Sequence, residues 1–112
     1  MAKSNLTAVA GDIEVLESPI YMVEGEVLAP VLTVSHASLV SAPVTTAAFE
    51  GQASTTTVSG SDSASGNVIT CKSFTPTANV RGTYVLIFKY VNGNQTEYKK
   101  CIVIVALQED TP

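Results

Sequence analysis

The hydrophobic pattern is strongest between Gly82 and Leu107. Gly-Thr-Tyr-Val-Leu-Ile-Phe-Lys-Tyr-Val and Gln-Thr-Glu-Tyr-Lys-Lys-Cys-Ile-Val-Ile-Val-Ala-Leu flank a short Asn-Gly-Asn segment. Two β-branched and aromatic runs around Asn-Gly predict a β-hairpin. Side chains alternate along a strand, so Tyr84, Leu86, Phe88 and Tyr90 share one face, and Val85, Ile87 and Lys89 the other. With Asn92 and Gly93 as the turn residues, Val91 stands opposite Asn94, Leu86 near Lys99, and Tyr84 near Cys101. Cys101, Val103 and Val105 then join the Tyr84 face, and Ile102 and Ile104 the Val85 face. One face covers a core. The other is more apolar than solvent requires, and either meets a partner or lies under neighbouring strands and loops.

The upstream chain reads as a series of short extended segments broken by turns. Residues 1–10 are polar or small, without a sustained period, and are expected to form an N-terminal arm. The turn at Gly11-Asp12 precedes a short strand, Ile13 to Leu16, and Ile20 to Val23 resumes it beyond Pro19. That proline fits an edge strand or one that changes sheets. Glu26 to Val34 reads as a strand with an edge or bulge at Pro30, and Leu39 to Phe49 as an extended region interrupted at Pro43. Ser54 to Val58 is a weak polar strand, Ser59 to Gly66 a mobile loop, and Asn67 to Lys72 another strand. Thr77 to Arg81 is the corner leading into the hairpin. The sum is seven to eight strands at the spacing of an antiparallel β-sandwich over residues 11–107, with 108–112 as a C-terminal tail.

Composition adds limits. The 112 residues suit one domain with a single core. The longest apolar run, Cys101 to Leu107, is far shorter than the roughly 18 residues of a membrane helix. The opening Met-Ala-Lys-Ser-Asn-Leu-Thr holds no apolar export core, so no signal peptide is expected. A net charge of −4 argues against binding nucleic acid through phosphates. The charge is uneven: residues 1–71 hold seven acids and only Lys3, whereas 72–112 hold Lys72, Arg81, Lys89, Lys99 and Lys100 against three acids. Either the module is dipolar, or strands of both halves interleave and the asymmetry disappears.

No catalytic constellation stands out, and no cofactor or metal is expected. His36, the single histidine, lies among Ser and Ala with no motif around it and reads as a solvated loop residue. Asp12/Glu14 and Glu24/Glu26 are acid pairs without the pattern of a calcium loop. Cys71 and Cys101 fall in separate strands. They are expected to be free buried thiols, with a disulfide open only where their Cα atoms come within about 7 Å. Two cysteines alone make a poor zinc site.

At Gly82-Thr83-Tyr84-Val85-Leu86 the sequence resembles the Gly-x-Tyr-x-Cys stretch of immunoglobulin-like (Ig-like) domains. The resemblance implies that Tyr84 pins the corner through its hydroxyl and that Gly82 serves the turn. Leu86 replaces the Cys, and Trp is absent, so the antibody-type disulfide core is missing. The chain also resembles small Ig-like modules of tailed bacteriophage particles. The matching pieces are Ala10-Gly11-Asp12, the Ser/Gly-rich residues 59–66, Asn67-Val68-Ile69-Thr70, Gly82-Thr83-Tyr84 and the hairpin from Asn92 to Val105. This implies a non-enzymatic virion protein, assembled in a host cytoplasm. Its role would be capsid decoration or cement, binding the major capsid protein or another virion protein, or copies of itself, without nucleic acid or membrane. The arm residues Met1, Ala2, Lys3, Ser4, Asn5 and Leu6 are the expected partner contacts. The alternative is a carbohydrate- or protein-binding Ig-like module of a phage tail or bacterial surface, which would use aromatic residues in end loops.

Overall fold

The computed structural model describes residues 5–23, 25–49, 58–76 and 82–106. Ten strands follow in order: β1 (Asn5–Ala8), β2 (Ile20–Val23), β3 (Val31–Val34), β4 (Val40–Phe49), β5 (Val58–Ser59), β6 (Ser63–Ser65), β7 (Val68–Thr70), β8 (Ser73–Phe74), β9 (Gly82–Asn92) and β10 (Gln95–Ala106). They form one sheet of order β1-β3-β7-β6, a second of order β2-β10-β9-β4, and a small β5-β8 pair. The first order is that of the outer sheet of an Ig domain, and β10-β9-β4 that of its partner sheet. The chain is therefore an Ig-like β-sandwich.

The alternation that predicts β9 and β10 also builds the core. Tyr84, Leu86, Phe88, Tyr90, Cys101, Val103 and Val105 all point inward and are buried. They meet Leu6, Ala8, Leu32, Val34 and Ile69 from the first sheet and Phe74 from the small β5-β8 pair in one continuous cluster. Tyr84 is 0% exposed. Its ring packs edge-to-face against Phe49 and Phe74, with centroids 4.9 and 5.2 Å away. Gly82 lies beneath this aromatic group. It has φ +134°, and a Cβ there would stand 3.1 Å from the Phe49 ring, so glycine serves both the backbone conformation and the close approach. The corner that Tyr84 was expected to pin, Thr77 to Arg81, lies outside the described residues.

Several expectations are corrected. Asn92 pairs with Gln95, so Gly93 and Asn94, not Asn92 and Gly93, form the turn. Gly93 has φ +62°, while Asn94 is not among the residues with positive φ, the signature of a hairpin turn with glycine in first place. Leu86 therefore faces Cys101, and Tyr84 faces Val103. The slip is two residues, an even number, so every face assignment survives. Nor is the sandwich purely antiparallel: β1 runs parallel to β3, and β2 parallel to β10. Residues 5–8 are not part of an arm. Leu6 and Ala8 alternate inward, and this strand is built into the sheet. Ile13 to Leu16 makes only a bridge, Glu14 to Lys100. The expected strand from Glu26 shortens to β3 plus a bridge from Leu28 to Phe74. The Ser/Gly-rich segment contains β6 rather than a plain loop. Pro43 falls where expected, at an irregularity in an edge strand: the β4–β9 register shifts between Ser41 and Val44.

Three edge strands have a carboxylate on an outward N–H. Glu17 accepts from Thr7 N of β1 at 2.6 Å and from Thr7 Oγ1. Glu26 accepts from Val23 N of β2 at 2.7 Å. Asp62 accepts from Thr45 N of β4 at 3.1 Å and from Thr45 Oγ1 at 2.6 Å. Asp62 also accepts from Lys72 N at 3.0 Å and pairs with Lys72 Nζ at 3.5 Å, with only 4% of its side chain exposed. It thus joins the β5–β6 connection, beside the first sheet, to the β4 edge of the second.

Candidate functional site

Two regions offer something beyond packing. The first is a polar cluster where the β9–β10 turn meets the β3–β4 connection. The hairpin register brings Tyr90 opposite Glu97 and Asn92 opposite Gln95. Glu97 accepts from Tyr90 OH at 2.8 Å, from Asn92 Nδ2 at 3.2 Å, and from His36 Nε2 at 2.7 Å. A carboxylate only accepts, so Nε2 holds the ring proton in this bond. His36 Nδ1 is buried without a hydrogen-bond partner. His36 is thus a half-buried member of a network, not the solvated loop residue expected. Beside it, Lys99 is buried despite its charge and donates from Nζ to the carbonyls of Val9 and Asp12. The lysine holds the loop after β1 against the hairpin. A groove of about 520 Å³ runs over this end, lined by Asp12, His36, Asn92, Gln95 and the 56%-exposed Tyr98.

Burial disfavours the charge on Glu97, but hydrogen bonds from His36, Tyr90 and Asn92 outweigh this and hold its carboxyl below the ordinary 4.5. The Tyr90 phenol is pushed upward by burial and by the adjacent Glu97 charge. A depressed folded-state carboxyl stabilises above its unfolded value, and the contribution is lost as pH falls through the folded value. Glu97→Gln is therefore expected to cost about 1–2 kcal/mol at pH 7 and progressively less as pH falls below about 4.5. Urea denaturation at several pH values checks this. Parallel stability–pH curves for the two proteins would refute it.

The second region is the outer face of the β2-β10-β9-β4 sheet. The registers stack Tyr21 beside Ile104, Ile102 beside Val85 and Ala48, Lys100 beside Ile87, and Tyr98 beside Lys89 and Val44. Tyr21 is 69% exposed, and Ile102, Ile104, Val85 and Ile87 are half-buried. None of the ten strands covers this face. The charge asymmetry of the sequence persists here in part: Lys89 and Lys100 both lie on it, and the Lys89 ammonium sits 5.9 Å from the Tyr98 ring centroid.

The other residues singled out in the sequence take structural places. Gly82 and Gly93 supply positive φ, Tyr84 the core, and Asn92 the Glu97 network. Met1, Ala2, Lys3 and Ser4 lie outside the described residues. Asn5 is exposed at the start of β1, but Leu6 is buried in the core and is no partner contact. Glu14 accepts from Ser18 Oγ. Among the described residues, no group of three or more His, Cys, Asp or Glu could hold a metal, and none of their helices is long and apolar enough to cross a membrane.

Cys71 and Cys101 are separate buried thiols. Burial pushes Cys71 up to about 11 and Cys101 up to about 12, against a partial lowering by the hydroxyls of Thr45 and Ser18. The thiolate is the reactive form. Both thiols are expected to resist a disulfide reagent at pH 7.5 in native protein, and to titrate fully in guanidinium. Rapid native labelling of either would contradict this.

No protein-family model matches the chain, and no curated protein sequence does. A similar solved structure is a chain of the complex between titin M10 and an obscurin-like 1 Ig domain. It is 18% identical, with a TM-score of 0.43 over 96% of this chain and 93% of that one. The Ig-like assignment stands on strand order and register.

Proposed function

We propose that the chain is a non-enzymatic virion structural protein, a capsid decoration or cement protein that binds and stabilises neighbouring coat subunits. The observation that carries this is the apolar outer face of the second sheet. A sheet with Tyr21, Ile102, Ile104, Val85 and Ile87 on a side that none of the described strands covers is suited to being held by another protein. The resemblance to Ig-like modules of tailed-phage particles supplies the setting. Many weak copies on a repeating coat would act together. The test is to purify particles from the source on a density gradient and quantify this chain by mass spectrometry. It is expected to sediment with particles in a fixed ratio to coat protein, and its removal is expected to lower the temperature of coat disruption. Recovery only in slow-sedimenting fractions would overturn the reading.

A second reading rests on the groove at the hairpin end. Exposed Tyr98 beside Asn92 and Gln95 offers a ring face and amides, the chemistry that suits a sugar. Saturable binding on a glycan array, abolished by Tyr98→Ala, would favour a carbohydrate-binding module instead.

A further inference from the structure

We propose that the outer face of the β2-β10-β9-β4 sheet docks a folded protein partner whose matching surface is apolar and places carboxylates opposite Lys89 and Lys100. This deepens the reading above, on which it rests, by naming the surface and the chemistry of what it meets. The centre of the face is apolar, built from Ile102, Ile104, Val85 and Ile87 in adjacent register. Among the described residues its fixed charges are the two lysines and, at the margin, Glu14, whose backbone forms a parallel β-bridge with Lys100. The Glu14 carboxylate is taken by Ser18 Oγ, and no ion pair joins either lysine to a carboxylate of the described residues.

The chain as a whole carries −4, yet four of its acids are engaged internally among the described residues. Glu17, Glu26 and Asp62 accept from edge N–H groups, and Glu97 accepts from His36, Tyr90 and Asn92. Among the described residues, the lysines of this face are without an ion pair, and complementary charge is what orients a docking partner. The same inventory argues against a second copy as the occupant. Face-to-face packing of two copies would gather both pairs of lysines around an apolar centre, with only the marginal Glu14 of each copy, among the described residues, to oppose them. Like charges so placed disfavour a pairing.

The test uses the full chain in native source material and as the purified protein. Lysines are acetylated with N-acetoxysuccinimide, and a carbodiimide joins amines to carboxylates in contact; both are mapped by mass spectrometry. Lys89 and Lys100 are expected to acetylate about tenfold more slowly in native material than in purified protein, with Lys72 little changed. The carbodiimide is expected to link Lys89 or Lys100 to Asp or Glu of a different polypeptide. The double variant K89E/K100E should retain the thermal midpoint of the free chain and lose that linkage. Equal acetylation in both states overturns the proposal, and so does linkage to another copy of this chain. Linkage to a polypeptide absent from virions would leave this face assigned while removing the virion reading, so the two failures are distinct.

Discussion

Asp62→Ala is expected to destabilise the protein by about 3–5 kcal/mol, as removal of one partner from a buried charged network does. The carboxylate is almost wholly buried and serves Thr45 N, Thr45 Oγ1, Lys72 N and Lys72 Nζ. Truncation strands two backbone donors and leaves the Lys72 ammonium, on a side chain 29% exposed, without its carboxylate. Hydrogen bonds to a charged group contribute about 1.5–3 kcal/mol each, and a stranded buried donor costs about 1–3. These overlap rather than add. Asp62→Asn keeps one acceptor but turns an amide NH2 toward groups that are themselves donors, and should cost nearly as much. In urea the midpoint should fall by roughly 2 M. A loss below about 1 kcal/mol for Asp62→Ala would mean that the two sheets do not depend on this link.

The second large effect is expected at Tyr84. Replacing a fully buried aromatic side chain with alanine typically costs about 3–5 kcal/mol, part from lost transfer energy and part from the cavity. Tyr84 stands between Phe49 and Phe74, which come from β4 of its own sheet and β8 of the small β5-β8 pair. Its removal opens a void between β4 and β8 and frees the Phe49 ring from its seat above Gly82. Pairing Tyr84→Leu with Phe49→Leu in a double-mutant cycle isolates the ring contact, expected at about 0.5–1.5 kcal/mol. Additive losses would show that the edge-to-face geometry contributes nothing of its own.

What the sequence disclosed, and what it hid, follows from the range of each interaction. β9 and β10 were legible because alternation over eleven and twelve residues leaves one face for the core. The turn was misplaced because Val-Asn-Gly-Asn-Gln offers both Asn-Gly and Gly-Asn. The observed choice sets Tyr90 opposite Glu97, and both belong to the His36 network, whose other end is 61 residues away. No spacing rule reaches that far. β1 was hidden because four residues give two inward positions, and its pairing with β3 is parallel and distant. The apolar excess on the outer face was legible from Val85, Ile87, Ile102 and Ile104. Its full extent was not, since Tyr21 joins through a parallel pairing to Ile104.

The carboxylates on β1, β2 and β4 have a bearing on life at high density. Unsatisfied strand borders are templates on which further chains can zip into fibrils. Here Glu17, Glu26 and Asp62 occupy border donors, and the remaining borders among the described strands, β5, β6 and β8, are two or three residues long. Copies crowded shoulder to shoulder would then find these borders interrupted, which disfavours the continuous backbone pairing that seeds amyloid.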